Sequence, residues 1–240
     1  MNETMPPPPP PIDPYGPPAG AAPPPPPAGG PGLPFEDTSR PFLDGLVETI
    51  RLIVTQPRDA FRMMAPEGDI GRPLVYAVVL GWIGLIASQL YNLVFQGAMM
   101  RMLGSRMHGM GFGGSVGTAM IMIVVGPIMV VIGLFIWSGL VHLALMLVGG
   151  ANRSFTATVR SLAYAQTSAL AQVIPFCGGF AAAIWGIVLS VFAISAAHET
   201  TDGKAAAAVL LPMVFCCTCV MLMGVLFGAG IAGLLSMTQQ

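Results

Sequence analysis

The chain has 240 residues, of which 54% are hydrophobic and only 9% charged, and its net charge is −1. A soluble globular domain carries about a quarter charged residues, so a water-facing surface of ordinary composition is excluded and the apolar excess must meet lipid. The near-zero balance also gives a nucleic-acid partner no support.

The first segment is a proline tract. Residues 6–34 hold sixteen of the 23 prolines, interleaved with Gly and Ala. Such a run favours extended polyproline II and cannot build a core. We therefore expect residues 1–40 to be a disordered, proline-rich cytoplasmic tail, able to present itself to a proline-binding module. Residues 1–34 contain no Lys or Arg and no apolar h-region, so no cleaved secretory signal is expected.

Residues 41–72 read as interfacial helices. Phe42, Leu43, Leu46, Val47, Ile50, Ile53 and Val54 recur at helical spacing, with Asp44, Glu48 and Arg51 on another face. This amphipathic helix of about fourteen residues is too short to span and suits the membrane interface. Pro57 then opens a second short helix.

Residues 73–235 read as an all-α, polytopic transmembrane bundle of about five spans: 73–95, 118–148, 157–176, 180–197 and 205–235. The second is long, and with no polar turn inside it one helix carrying Gly126-Pro127 is preferred to a hairpin. Cys177-Gly178-Gly179 is read as the turn between the third and fourth. Between Ile70 and His198 there is no carboxylate, which avoids a cost of roughly 2.5–3.5 kcal/mol per mid-membrane charge. Placing the N-terminus inside puts eight basic residues, Arg153, Arg160 and Lys204 among them, on the cytoplasmic side and leaves only Arg101 and Arg106 opposite. The positive-inside rule thus gives a cytoplasmic N-terminus and an outer C-terminus.

Polar residues inside the spans form two stripes. Gln89, Asn92 and Gln96 share a face of the first span; Ser161, Ser168 and Gln172 share one of the third, near Gln166 and Thr167. His142 lies about two turns from the cytoplasmic end of the second. In hydrocarbon these groups need partners, so they should turn inward as interhelical hydrogen bonds or as a polar conduit. Gly178, Ala182, Gly186 and Ser190 repeat every four positions, and Gly224 and Gly228 form Gly-x-x-x-Gly. Such ladders permit close helix packing, within one chain or in a homo-oligomer.

No cofactor or metal is expected. The methionines and His108 of the loop after the first span suit a soft metal in type but follow no fixed spacing. Cys216, Cys217 and Cys219 lie in an apolar span and read as small apolar residues. No catalytic motif is present, and without membrane carboxylates acid–base chemistry has no groups to use. A non-enzymatic protein is expected.

Gly149-Gly150, Phe155, Thr158, Tyr164-Ala165, Ile174-Pro175, Gly178-Gly179, His198 and Lys204-Ala205 form one ordered pattern, with Pro57 and Phe61 ahead of it. In this the chain resembles the Yip1 family of five-span membrane proteins, in its bacterial form, over about residues 41–235. The resemblance implies a bacterial inner-membrane location; eukaryotic members act in vesicle traffic with Rab-type GTPases. Their Asp-Leu-Tyr-Gly-Pro motif has a partial echo in Asp13-Pro14-Tyr15-Gly16-Pro17. The expected role is membrane organisation or scaffolding, with membrane or cytoplasmic protein partners recruited by the tail. The alternative is a transport or channel component using the polar stripes.

Overall fold

The computed structural model describes the backbone of residues 32–103 and 116–237, and the side chains of 32–95 and 116–225. The proline tract to residue 31, residues 104–115 with Met107, His108 and Met110, and the side chains of Gln96 and Gly228 lie outside the described residues. The backbone of Met99, Met100 and Met102, expected in a loop, belongs to a helix. Among the described residues every element is helical: a 3-10 turn Pro34–Glu36, then α1 (Phe42–Thr55), α2 (Pro57–Met63), α3 (Gly71–Leu103), α4 (Val116–Leu147), α5 (Phe155–Ala165), a 3-10 segment Gln166–Val173, α6 (Gly178–Ala197) and α7 (Asp202–Met237).

Four described stretches are long and apolar enough to cross a membrane: Gly71–Phe95, Val116–Leu147, Gly178–Ala197 and Asp202–Val225. Residues 118–148 lie almost wholly in one helix with Pro127 inside it, not in a hairpin. The expected single helix over 157–176 is instead eleven residues of α-helix followed by eight of 3-10 helix. At about 1.5 and 2.0 Å per residue the two pieces together reach about 32 Å.

That composite segment runs parallel to α3. From one end to the other, Arg160 meets the Asp69 carbonyl, Tyr76 meets Thr167 at 2.7 Å, Ser88 meets Gln172 at 2.8 Å and Tyr91 meets the Val173 carbonyl. Residues 157–165 are all buried. The segment is the inside of the bundle, which is why it carries hydroxyls and amides where the lipid-facing helices carry Val, Met and Phe.

Its thin 3-10 stretch lets neighbouring backbones come close. A Cβ on Gly84 of α3 would stand 2.7 Å from the Ala169 carbonyl oxygen, and one on Gly178 of α6 only 2.4 Å from that of Ala171. Only glycine fits at either place. Gly178 is therefore the first residue of α6, pressed on the 3-10 backbone, and the reading of Cys177-Gly178-Gly179 as the turn is corrected. The turn runs through 174–177, and the left-handed backbone there belongs to Phe176 (φ 65).

The tail boundary also moves. Residues 33–36 were expected within the disordered segment, yet Leu33 and Phe35 are each 1% exposed. Phe35 packs against Tyr76 and Phe42, its backbone N–H donates to Thr49 Oγ1, and Arg72 donates to its carbonyl. Two large apolar side chains and a set of satisfied polar groups fix this segment.

α1 divides into three faces. Gly45, Leu46, Thr49 and Ile53 are buried against the bundle. Leu43, Val47 and Val54, spaced so as to share one line, are 67%, 61% and 51% exposed. Asp44, Glu48 and Arg51 take the remaining side.

Candidate functional site

Two polar centres sit at the end of the bundle that carries α1 and α2. The first is built on Arg160. This residue, counted among the basic residues of the cytoplasmic side, is 3% exposed. It donates to the carbonyls of Ala65 and Asp69 and forms an ion pair with Glu36 at 2.5 Å. Tyr164 Oη donates to the same carboxylate oxygen at 2.9 Å. Burial raises the Glu36 carboxyl above its ordinary value, and Arg160 and Tyr164 oppose that shift. The arrangement staples residues 33–36, the 65–69 loop and α5 together. Sequence reading missed it, although a charge at 160 in an otherwise uncharged span signals the need for a carboxylate from elsewhere.

The second centre joins His142, Thr158 and His198. Thr158 and His198 are fully buried. Thr158 Oγ1 lies 2.8 Å from His142 Nδ1 and 2.9 Å from His198 Nε2. The Arg153 backbone N–H donates to His198 Nδ1 at 3.2 Å. Since Nδ1 accepts, the neutral ring carries its proton on Nε2 and donates to Thr158, whose hydroxyl then donates to His142 Nδ1. Burial, then His142 and Arg153, push the His198 pKa down to about 4. Asn152 Nδ2 donates to the His198 carbonyl. The cluster pins the 149–154 loop to the end of α6.

The two stripes are brought together in part. Ser88 Oγ donates to Gln172 Oε1, so α3 and the 3-10 segment share one polar contact. Asn92 turns back to the Ser88 carbonyl of its own helix. Gln89 is half-buried on α3 and joins no hydrogen bond among the described residues, and Gln166 lies at the α5 junction. Ser88, Asn92, Gln172, Phe95 and Phe176 line an open cavity of about 550 Å³ at the far end.

The glycine ladders divide in the same way. Gly178 and Ala182 are buried, and Ser190 Oγ donates to the Gly186 carbonyl. A Cβ on Gly186 would lie 3.0 Å from Ser168 Oγ. Gly224 of α7 has nothing within 4 Å of a Cβ position. All four cysteines are free thiols, and no three His, Cys, Asp or Glu side chains gather into a metal cluster among the described residues.

Long apolar helices around a polar inner segment, buried from 157 to 165 and again at Thr167, Ser168 and Ala169, define a multi-pass integral membrane protein. The Yip1 domain family model matches residues 50–237, and the chain belongs to that family. Neither the curated proteins nor the solved structures give a match to the chain. The residues that dock at 33–36 precede the matched region.

Proposed function

We propose that the protein is a non-enzymatic membrane organiser whose bundle anchors a partner-recruiting tail. The observation that carries this reading is the Glu36–Arg160 pair: it roots the segment that follows the proline tract in the core of the membrane domain. A tail fastened in this way transmits position and load to the bundle, as a scaffold requires. The exposed Leu43, Val47 and Val54 line gives α1 an apolar edge for the membrane interface.

Five crossings follow if α5 and the 3-10 segment count as one. Their reach of about 32 Å matches a hydrocarbon core of about 30 Å, and a path parallel to α3 with α4 between them is what alternating crossings require. The basic-residue balance then puts α1, α2 and the N-terminus in the cytoplasm and the C-terminus outside, in a bacterial inner membrane. The partners in this reading are the bilayer, membrane or cytoplasmic proteins, and a second copy of the chain.

Crosslinking in native membranes tests the reading, comparing the full chain with one lacking residues 1–31 and so retaining the docked segment. Partners captured by the first and lost from the second support recruitment by the tail. An identical catch from both overturns it. The transport reading draws on the open cavity beside Ser88, Asn92 and Gln172; solute flux in liposomes that is abolished by Gln172→Leu would favour it.

A further inference from the structure

Between α4, the inner segment, α6 and α7 lies a second cavity, of about 440 Å³, open on one side. Its walls include Gly133, Trp137, Ala183, Gly186, Val209 and Cys216, none of them charged. Three polar side chains also line it, Gln166, Ser168 and Ser190. Neither the Gln166 amide nor the Ser168 hydroxyl joins a hydrogen bond among the described residues, although Ser168 is only 9% exposed. Ser190, by contrast, satisfies itself on the Gly186 carbonyl. The absence of a side chain at Gly186 keeps the Ser168 hydroxyl uncovered, since a Cβ there would stand 3.0 Å from the oxygen.

Depth gives these two groups their meaning. Gln166 stands eleven residues along from Phe155, the first residue of α5, or about 16 Å at 1.5 Å per residue. That is close to the middle of a hydrocarbon core about 30 Å thick. A hydroxyl and an amide left unpaired at this depth each cost on the order of 1–3 kcal/mol. Within a cavity of ligand-binding size, such groups are satisfied by what occupies it.

We infer that this cavity binds a neutral, hydrocarbon-tailed lipid through a carbonyl oxygen that accepts from Gln166 and Ser168. The occupant is neutral because no charged group lines the site. It carries an acceptor because both free groups can donate. Its polar end reaches mid-membrane, which a charged or zwitterionic headgroup held at the interface cannot do. A glyceride ester and a lipid quinone both present this chemistry, and the site lies apart from the tail and its anchoring pair.

The test uses the full chain in phosphatidylcholine nanodiscs with three diazirine-tailed probes: a diacylglycerol, an alkyl quinone and a phosphatidylcholine. Label from one of the two neutral probes should fall on peptides carrying Trp137, Ala183 or Cys216, and the probe that labels names the source. Ala183→Phe fills the cavity from an exposed position and should abolish that label. Gln166→Met with Ser168→Ala keeps the volume and removes both donors, and should weaken labelling about tenfold. Equal labelling by phosphatidylcholine would mean ordinary surrounding lipid and overturn the inference. Loss in Ala183→Phe alone would mean a hydrocarbon chain without carbonyl recognition, which also overturns it. Melting temperatures near wild type for both variants keep the comparison one of binding.

Discussion

Arg160 and Glu36, 124 positions apart, form an ion pair in which neither partner is free in solvent: their side chains are 4% and 16% exposed. The guanidinium is further satisfied by the Ala65 and Asp69 carbonyls, and the carboxylate by Tyr164. Such a pair adds little net stability over an apolar replacement, but breaking it on one side strands a buried charge. Its weight lies in fixing which segments meet.

Glu36→Ala should therefore lower stability by about 3 kcal/mol, and Arg160→Met by a similar amount. The double variant should lose clearly less than the sum, because it strands no charge. Thermal unfolding in detergent for the four proteins measures this; strict additivity would show that the two residues act separately.

The histidine cluster gives a dependence on pH. His198 is held down to about 4 from an ordinary 6.5, so the unfolded chain binds its proton first. Its contribution is complete above pH 6.5 and is lost as pH falls towards 4. Protonation also turns Nδ1 into a donor facing the Arg153 N–H. Glu36, shifted upward, acts in the opposite sense as pH falls. Unfolding temperatures followed from pH 7.5 to 4 should thus decline for the wild type and less steeply for His198→Asn. Parallel curves would place the acid sensitivity elsewhere.

Much of this was legible in the sequence, for reasons that particular residues make plain. Residues 118–148 read as one helix because no polar turn interrupts them, and α1 read correctly because Leu43, Leu46, Val47 and Ile50 keep a period near 3.6. The inner segment did not. Over eight residues, 3-10 and α-helical spacing differ too little for Gln166–Val173 to declare itself, and Gly178 looks like a turn residue when its real constraint is the Ala171 carbonyl of another element. Glu36 and Arg160 are joined only by the fold. Nothing local to Leu33 and Phe35 separates them from the prolines except that both are large and apolar. Of the proposed polar cluster, the pairing of Gln172 was foreseeable in kind, since a membrane amide needs a partner, but Ser88 as that partner was not.

The line on α1 can be checked directly. Val47→Glu places a charge on a 61% exposed position away from the buried face. We expect the fold to survive with a change under about 0.5 kcal/mol. A spin label at the same position should lie within the headgroup region by accessibility to lipid-borne quenchers, and a fully aqueous label would deny α1 contact with the bilayer.

The two glycine ladders make opposite predictions from similar sequence patterns. At Gly178 a methyl group would collide with the Ala171 carbonyl oxygen at 2.4 Å, and the next nearest atoms are Gln172 backbone, so no flexible side-chain end is there to yield. Gly178→Ala should therefore cost about 1–3 kcal/mol through forced displacement of the 3-10 segment, with loss of the Ser88–Gln172 contact as α3 and α6 are pushed apart. At Gly224 nothing stands within 4 Å, so within a single chain Gly224→Leu should be neutral or slightly stabilising, glycine being the poorer helix former by about 1 kcal/mol. Unfolding temperature and oligomeric state in detergent separate the cases. A stable Gly224→Leu that has lost a dimer would assign this ladder to contact between copies. A Gly178→Ala protein as stable as wild type would show that the inner segment has room to move, and would remove the reason given for glycine at that place.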